Sequence, residues 1–208
     1  MSITIPRLYA ILDAAQVGDR SLATVSELFL AAGVRLIQYR DKRASSRTLY
    51  ENGRTVGERA RGAGAVFIVN DRADVARAVN ADGVHLGQDD LPVGSARLLL
   101  PPGKWVGCST HSLNQVREAD RSSADYVAFG PIFPTRSKEH PDPVAGLKGL
   151  RQARKATAKP LVAIGGITLE TARAVFDAGA DSVAVISDLL RRADIGAHVR
   201  EFLRVLGE

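Results

Sequence analysis

The chain has 208 residues, 45% of them apolar and 25% charged, with a formal net charge of +5. That balance belongs to a globular chain rather than a disordered one, and no apolar run approaches the roughly 20 residues needed to cross a bilayer. The only cysteine, Cys108, excludes an internal disulfide, and arginines scattered over helices, with few aromatics besides Trp105, argue against nucleic acid. The stretch from Met1 to Pro6 has no signal-peptide core, so a cytoplasmic location is expected.

Short Val/Ile-rich runs recur along the chain, each followed by a polar cluster and a helix-like segment. The pattern predicts strands at 7–13, 35–40, 66–71, 83–88, 105–110, 126–131, 160–166 and 182–188. Apolar residues recur at helical spacing over 21–32, 45–61 and 168–178, each opened by a Ser or Thr in a cap position. Strands that are apolar without alternation suit a parallel sheet covered by helices, and eight such repeats suit closure into a single (β/α)8 TIM barrel. Residues 1–208 are therefore read as one TIM-barrel catalytic domain.

In that fold the active site lies at the C-terminal ends of the strands. The second strand ends Gln38-Tyr39-Arg40-Asp41-Lys42, and alternation sends Gln38, Arg40 and Lys42 to one side. The inward face of a barrel is normally apolar, so this favours an anion site; the competing reading is a salt-bridge cluster with neighbouring acids. The third and fourth strands end in Asn70-Asp71 and in His85-Leu86-Gly87-Gln88-Asp89-Asp90. Carboxylates at adjacent tips, facing cations, suit a Mg²⁺ shared with a pyrophosphate, which makes Asp71 and Asp90 the candidate ligands. Asp89 is the alternative to Asp90, and Asp71 has two competing uses, pairing with Arg72 or capping the next helix.

The fifth strand ends Cys108-Ser109-Thr110-His111, where Cys108 reads as a small core residue. The sixth leads into Gly130-Pro131-Ile132-Phe133-Pro134-Thr135-Arg136-Ser137-Lys138, with two hydroxyls and two cations in a proline-bounded loop. Prolines stiffen it while Thr135, Ser137 and Lys138 carry donors suited to an anion, although a plain surface turn has similar composition. The seventh and eighth ends, Ile164-Gly165-Gly166-Ile167 and Val185-Ile186-Ser187-Asp188, suit a phosphate, since glycine lets backbone amides approach closely. A Gly-Gly is equally a tight turn. Together these ends imply two anion sites in one mouth, one suited to a diphosphate and one to a monophosphate.

Six separated motifs carry a resemblance: Gln38-x-Arg40-x-Lys42, Asn70-Asp71, Val84-His85-Leu86-Gly87-Gln88-x-Asp90, Gly107-x-Ser109-x-His111, Ala124-Asp125-Tyr126-Val127 and the loop from Gly130 to Lys138. In this order, over about residues 8–189, the chain resembles the thiamine phosphate synthase family. The resemblance implies that a hydroxymethylpyrimidine diphosphate and a thiazole phosphate, carboxylated or not, are joined with release of pyrophosphate. It places Gln38, Tyr39, Arg40, Asp41, Lys42, Asn70, Ser109 and Lys138 on the pyrimidine diphosphate, with Arg40, Lys42, Ser109 and Lys138 as catalytic residues. Thr135, Arg136, Ser137, Gly166, Ile186 and Ser187 are placed on the thiazole phosphate, and Asp71 and Asp90 on one Mg²⁺ per subunit. Ser137 stands where the family more often has threonine, which keeps the hydroxyl but loses a methyl.

His85 reads either as lining the pyrimidine pocket or as a satisfied core histidine, and His111 is equally open. The implied partners are small phosphorylated substrates, with no nucleic acid and no membrane. Oligomeric state is open, because the helical pattern at 193–206 suits solvent or a homo-oligomer. A sister family of thiazole tautomerases is the nearest alternative, disfavoured because a proton shift has no use for a diphosphate set. A non-catalytic sensor of a thiamine-pathway phosphate is the other, and no partner-recognition segment supports it.

Overall fold

In the computed structural model, which describes residues 3–135 and 142–208, eight parallel strands pair in chain order and the last returns to the first. The strands are β1 (Leu8–Asp13), β2 (Leu36–Arg40), β3 (Val66–Asn70), β4 (Gly83–Leu86), β5 (Trp105–Thr110), β6 (Tyr126–Phe129), β7 (Leu161–Ile164) and β8 (Ser182–Val185). Helices alternate with them: α1 (Leu22–Ala31), α2 (Ser46–Gly62), α3 (Ala73–Ala78), α4 (Val93–Leu99), α5 (Leu113–Arg121), α6 (Gly146–Ala156) and α7 (Leu169–Asp177). After β8 come a short α8 (Ser187–Leu190) and the closing α9 (Ile195–Leu206). The expected (β/α)8 barrel is the fold of this chain.

Closure means that no strand has a free edge, so every strand is buried on both faces. On β1 the outward Leu8, Ala10 and Leu12 join a belt with Phe29, Val56, Val199 and Phe202 from the helices. The inward Tyr9 and Ile11 join Leu36, Ile68, Tyr126, Ala128, Val162 and Ala184 inside the barrel. Removing each large apolar side chain from water contributes roughly 1.5–3 kcal/mol. This two-sided burial is why the strands read as unbroken apolar runs.

Local chemistry agrees with the topology. The Ser21 hydroxyl accepts from Thr24 N at 3.0 Å and the Ser45 hydroxyl from Thr48 N at 3.2 Å, capping α1 and α2, while Ser112 and Gln115 form a capping box on α5. At the opposite end of the barrel from the mouth, an Ala-Asp pair precedes each of β4, β6 and β8. Each Asp accepts from the start of the preceding strand: Asp82 from Phe67 N at 2.9 Å, Asp125 from Val106 N at 2.7 Å and Asp181 from Leu161 N at 2.8 Å. Arg97 and Arg154 neutralise two of these carboxylates at 2.5 and 2.6 Å.

The strand predictions overrun the observed ends at β4, β6, β7 and β8 because the residues beyond Leu86, Phe129, Ile164 and Val185 leave the ladder to form loops at the mouth. Asp188 ties those loops to the last helices. One oxygen accepts from Leu169 N at 3.0 Å and lies 3.0 Å from His198 Nε2, and the other accepts from Arg192 at 2.5 Å. Burial pushes its carboxyl up, but the bonds from His198 and Arg192 outweigh that and hold it below the usual carboxylate value.

Two stability measurements check this account. On β5, a Cβ at Gly107 would stand 2.1 Å from the Tyr126 ring, whereas one at Gly94 in α4 would meet nothing. Gly107→Ala should lower the urea unfolding free energy by about 1–3 kcal/mol, and Gly94→Ala should leave it unchanged or raise it by about 0.5–1 kcal/mol. Because the folded pKa of Asp188 is depressed, its contribution is present above the unfolded value near ~3.9 and lost as pH falls through the lower folded value. The difference in thermal midpoint between the wild type and Asp188→Asn should therefore be full at pH 7 and shrink below about pH 4.

Candidate active site

The strand tips surround a cavity of about 1170 Å³. Its floor is polar where most barrel interiors are apolar. Gln38 Nε2 on β2 donates to the Tyr9 hydroxyl at 2.7 Å, and that hydroxyl lies 2.9 Å from the Tyr126 hydroxyl. Tyr126 in turn lies 3.1 Å from His85 Nδ1, and His85 Nε2 lies 2.8 Å from the Ser109 hydroxyl. Five strands thus contribute to one hydrogen-bonded chain. A buried hydroxyl without a partner costs stability, and here each finds one. Burial pushes the Tyr9 and Tyr126 phenols far above their ordinary range, so both stay neutral. His85 stacks on the Tyr126 ring with centroids 5.5 Å apart and also lines the cavity, so it is at once a bonded core histidine and a pocket residue.

The rim carries charge. Arg40 Nη1 lies 2.5 Å from Asp13, and Lys42 Nζ lies 2.6 Å from Asp71. The two sequence readings of this strand end hold together: the cations line the cavity and they also pair with acids. Asp41 lines it too, accepting from Arg43 N and Ala44 N to shape the turn. Asp71 has a left-handed backbone, φ 65°, which ends β3 and turns its carboxylate toward Lys42. Its proposed pairing with Arg72 does not occur, since Arg72 binds Asp74 at 2.6 Å, and α3 has no side-chain cap.

Asp90 accepts from Gly87 N at 2.7 Å. Burial first, and then the neighbouring Asp71 carboxylate, push the Asp90 carboxyl above its usual range, with Lys42 opposing. Two like charges drawn together out of water favour a shared cation. Among the described residues no three His, Cys, Asp or Glu side chains converge. A pair of carboxylates fits Mg²⁺, which typically takes one or two and completes its shell with phosphate and water. Asn70 and Asp89 also line the cavity.

Across the mouth, Gly165 and Gly166 have φ of 98° and 64°. A Cβ on Gly166 would stand 2.5 Å from the Pro134 carbonyl, so only glycine allows the two loops to meet here. Ile132 N and Phe133 N donate to Ile164 O and Gly165 O, each at 2.9 Å, and fix the start of the proline loop. Thr135, Gly166 and Ser187 stand where the main cavity meets a smaller hollow of about 470 Å³, and Ile186 faces the main cavity. Arg136, Ser137 and Lys138 lie outside the described residues.

One expectation needs correction. The Tyr39 side chain does not reach the cavity: it faces outward, packs beside Gly53 of α2 and accepts from Asn52 Nδ2 at 3.3 Å. Burial there pushes its phenol up to about 12. Strand alternation requires this, because Gln38 and Arg40 face in and the residue between them must face out. Cys108 likewise faces the helix side, where burial pushes its thiol up. His111 lines the cavity, with Nδ1 2.7 Å from Gly130 O.

Three cavity-lining or cavity-floor positions were given no role in the sequence reading: Tyr9, Tyr126 and Asp13. The tyrosines sit in apolar strand runs, where nothing local distinguishes an inward tyrosine from a packed one, whereas Asp13 is a polar strand end that was passed over. The available signal was indirect, a glycine at 107 where a larger residue would collide with Tyr126.

Comparison with known proteins identifies the family. Residues 8–189 match the family model for thiamine monophosphate synthase. The chain is 50% identical to the thiamine-phosphate synthase of Koribacter versatilis, over 98% of this chain and 97% of that one. It is 44% identical to that of Chloroflexus aurantiacus, over 96% and 92%. The structure of a thiamine phosphate pyrophosphorylase from Pyrococcus furiosus superposes with a TM-score of 0.87 at 36% identity, covering 97% of this chain and 95% of the other. Matched by the family model over residues 8–189 and 50% identical to a relative over nearly the whole of both chains, this chain belongs to the thiamine monophosphate synthase family.

Proposed function

We propose that this chain joins 4-amino-2-methyl-5-(diphosphooxymethyl)pyrimidine to a thiazole phosphate, forming thiamine phosphate and releasing pyrophosphate. The observation that carries the reading is the convergence of Arg40, Lys42, Asp71 and Asp90 on one side of a cavity whose other side is the Gly165-Gly166 loop. That arrangement supports one diphosphate and one monophosphate in a shared mouth. No nucleophile is needed, and the one cysteine faces away.

Arg40 and Lys42 hold the diphosphate, joined by Asn70 and, in the loop beyond Thr135, by Lys138. The Gln38 amide and the Ser109 hydroxyl, held at fixed positions by the Tyr9–Tyr126–His85 chain, orient the pyrimidine ring. As the carbon–oxygen bond breaks, charge grows on the leaving oxygens, and the preorganised cations stabilise it more than they stabilise the ground state. Asp71 and Asp90 would hold Mg²⁺, which when bound supplies further neutralisation of the leaving diphosphate. Thr135, Arg136, Ser137, Gly166, Ile186 and Ser187 hold the thiazole phosphate so that its ring nitrogen faces the nascent methylene cation. Proximity replaces a bimolecular encounter, and apolar Ile11, Val162 and Ala184, which also line the cavity, keep water from intercepting the cation. We assign this work to residues 1–208 as one catalytic domain, with one Mg²⁺ per subunit and a cytoplasmic setting.

Purified protein supplied with both substrates should release pyrophosphate and form thiamine phosphate with Mg²⁺, and should stop with excess EDTA. Asp71→Asn, Asp90→Asn and Lys138→Ala should each lower kcat by about 10²–10³-fold, the scale of a lost charge-stabilising group. Isomerisation of the thiazole phosphate without pyrimidine, with turnover insensitive to these substitutions, would instead assign the sister tautomerase activity.

A further inference from the structure

Asp13, at the end of β1, is a charged residue that the reaction described above does not use. Its side chain is only 2% exposed, yet it lies at the edge of the cavity. A carboxylate so far out of water must be paired, and every oxygen is engaged. Oδ1 accepts from Ala15 N at 3.0 Å, while Oδ2 accepts from Arg40 Nη1 at 2.5 Å and from Gln16 Nε2 at 3.4 Å. The backbones are joined at the same point, with Asp13 and Arg40 in register and Ala14 N donating to Arg40 O at 2.9 Å. The arginine is thus held from its own main chain and from its guanidinium tip.

We propose that Asp13 is a positioning residue, fixing the Arg40 guanidinium against the cavity so that its remaining N–H groups meet the diphosphate without rearrangement. This rests on the assignment of Arg40 to the diphosphate. An arginine side chain on a cavity wall has many rotamers, and ordering it on binding would cost affinity. Asp13 orders it in advance. One of the five guanidinium donors is occupied by the carboxylate, which leaves the others for phosphate oxygens. Asp13 touches no substrate and acts only through Arg40.

The test is calorimetric titration of the full chain with inorganic pyrophosphate and Mg²⁺, beside steady-state kinetics. Asp13→Asn keeps the shape and the bond from Ala15 N but removes the charge. It should weaken pyrophosphate binding by about tenfold or more and lower kcat/KM for the pyrimidine diphosphate by at least as much, since displacement of about 1 Å can cost ~10²-fold. The KM for the thiazole phosphate should move less than about twofold, which general loosening of the barrel would not spare. In an Arg40→Met background, adding Asp13→Asn should cost nothing further, because the pair acts as a unit. Should Asp13→Asn not fold, Asp13→Glu keeps the charge, shifts the guanidinium by one methylene and should show the same selective loss. Undiminished or tighter pyrophosphate binding by the folded variant, or additive losses in the double variant, would overturn the role of Asp13 alone. Absence of pyrophosphate binding by the unsubstituted chain would overturn the diphosphate assignment and this inference with it.

Discussion

Polar groups withdrawn from water must be paired with one another, and the upper half of this barrel is organised by that requirement. Gln38, Tyr9, Tyr126, His85 and Ser109 satisfy each other across five strands, so the cavity floor is polar and stiff together. Breaking any link leaves a donor or acceptor stranded in a low-dielectric interior, which costs more than the bond itself contributes. A floor of this kind holds donors and acceptors at fixed points in the cavity. Gly107 is part of the same constraint, because the Tyr126 ring occupies the space its side chain would fill.

The rim follows the same logic with charges in place of dipoles. Arg40 and Lys42 each face an acid, and Asp90 is brought beside Asp71 by the Gly87 amide and the left-handed turn at Asp71. The net charge of +5 is therefore not displayed as a bare cationic mouth. Compensated pairs keep the rim stable, because each half-buried charge faces an opposite one. The opposite side of the mouth uses a different device. Glycines at positive φ let the seventh loop and the proline loop touch, and the small hollow beside them is lined by backbone, by Thr135 and Ser187, and by Arg191 and Arg192.

Each residue's position on the fold separates what was legible in the chain from what was not. Arg40, Lys42, Asp71, Asp90, Ser109 and Ser187 stood out because polar residues at the ends of apolar runs are unusual on the normally apolar inner face of a closed barrel. Tyr39 was misplaced by treating five consecutive residues as one site, when the strand period turns every second one toward the helices. The competing readings at Arg40 and His85, ion pair or anion grip and core or pocket, turned out not to exclude each other. A residue at the lip of a barrel borders both protein and cavity.

By itself the sequence determined the eight-fold alternation, the strand cores, the capped helices and the strand-end residues, because all of these rest on spacing along the chain. It also carried the family motifs. Only the tertiary structure decided that Asp13 is the partner of Arg40, that Lys42 rather than Arg72 pairs with Asp71, and that Tyr9 and Tyr126 share a hydrogen bond across 117 positions. Those contacts join side chains from different strands, and barrel closure sets which strands meet and how far each is shifted against the next. That shear is a property of the whole sheet, so no local pattern encodes it.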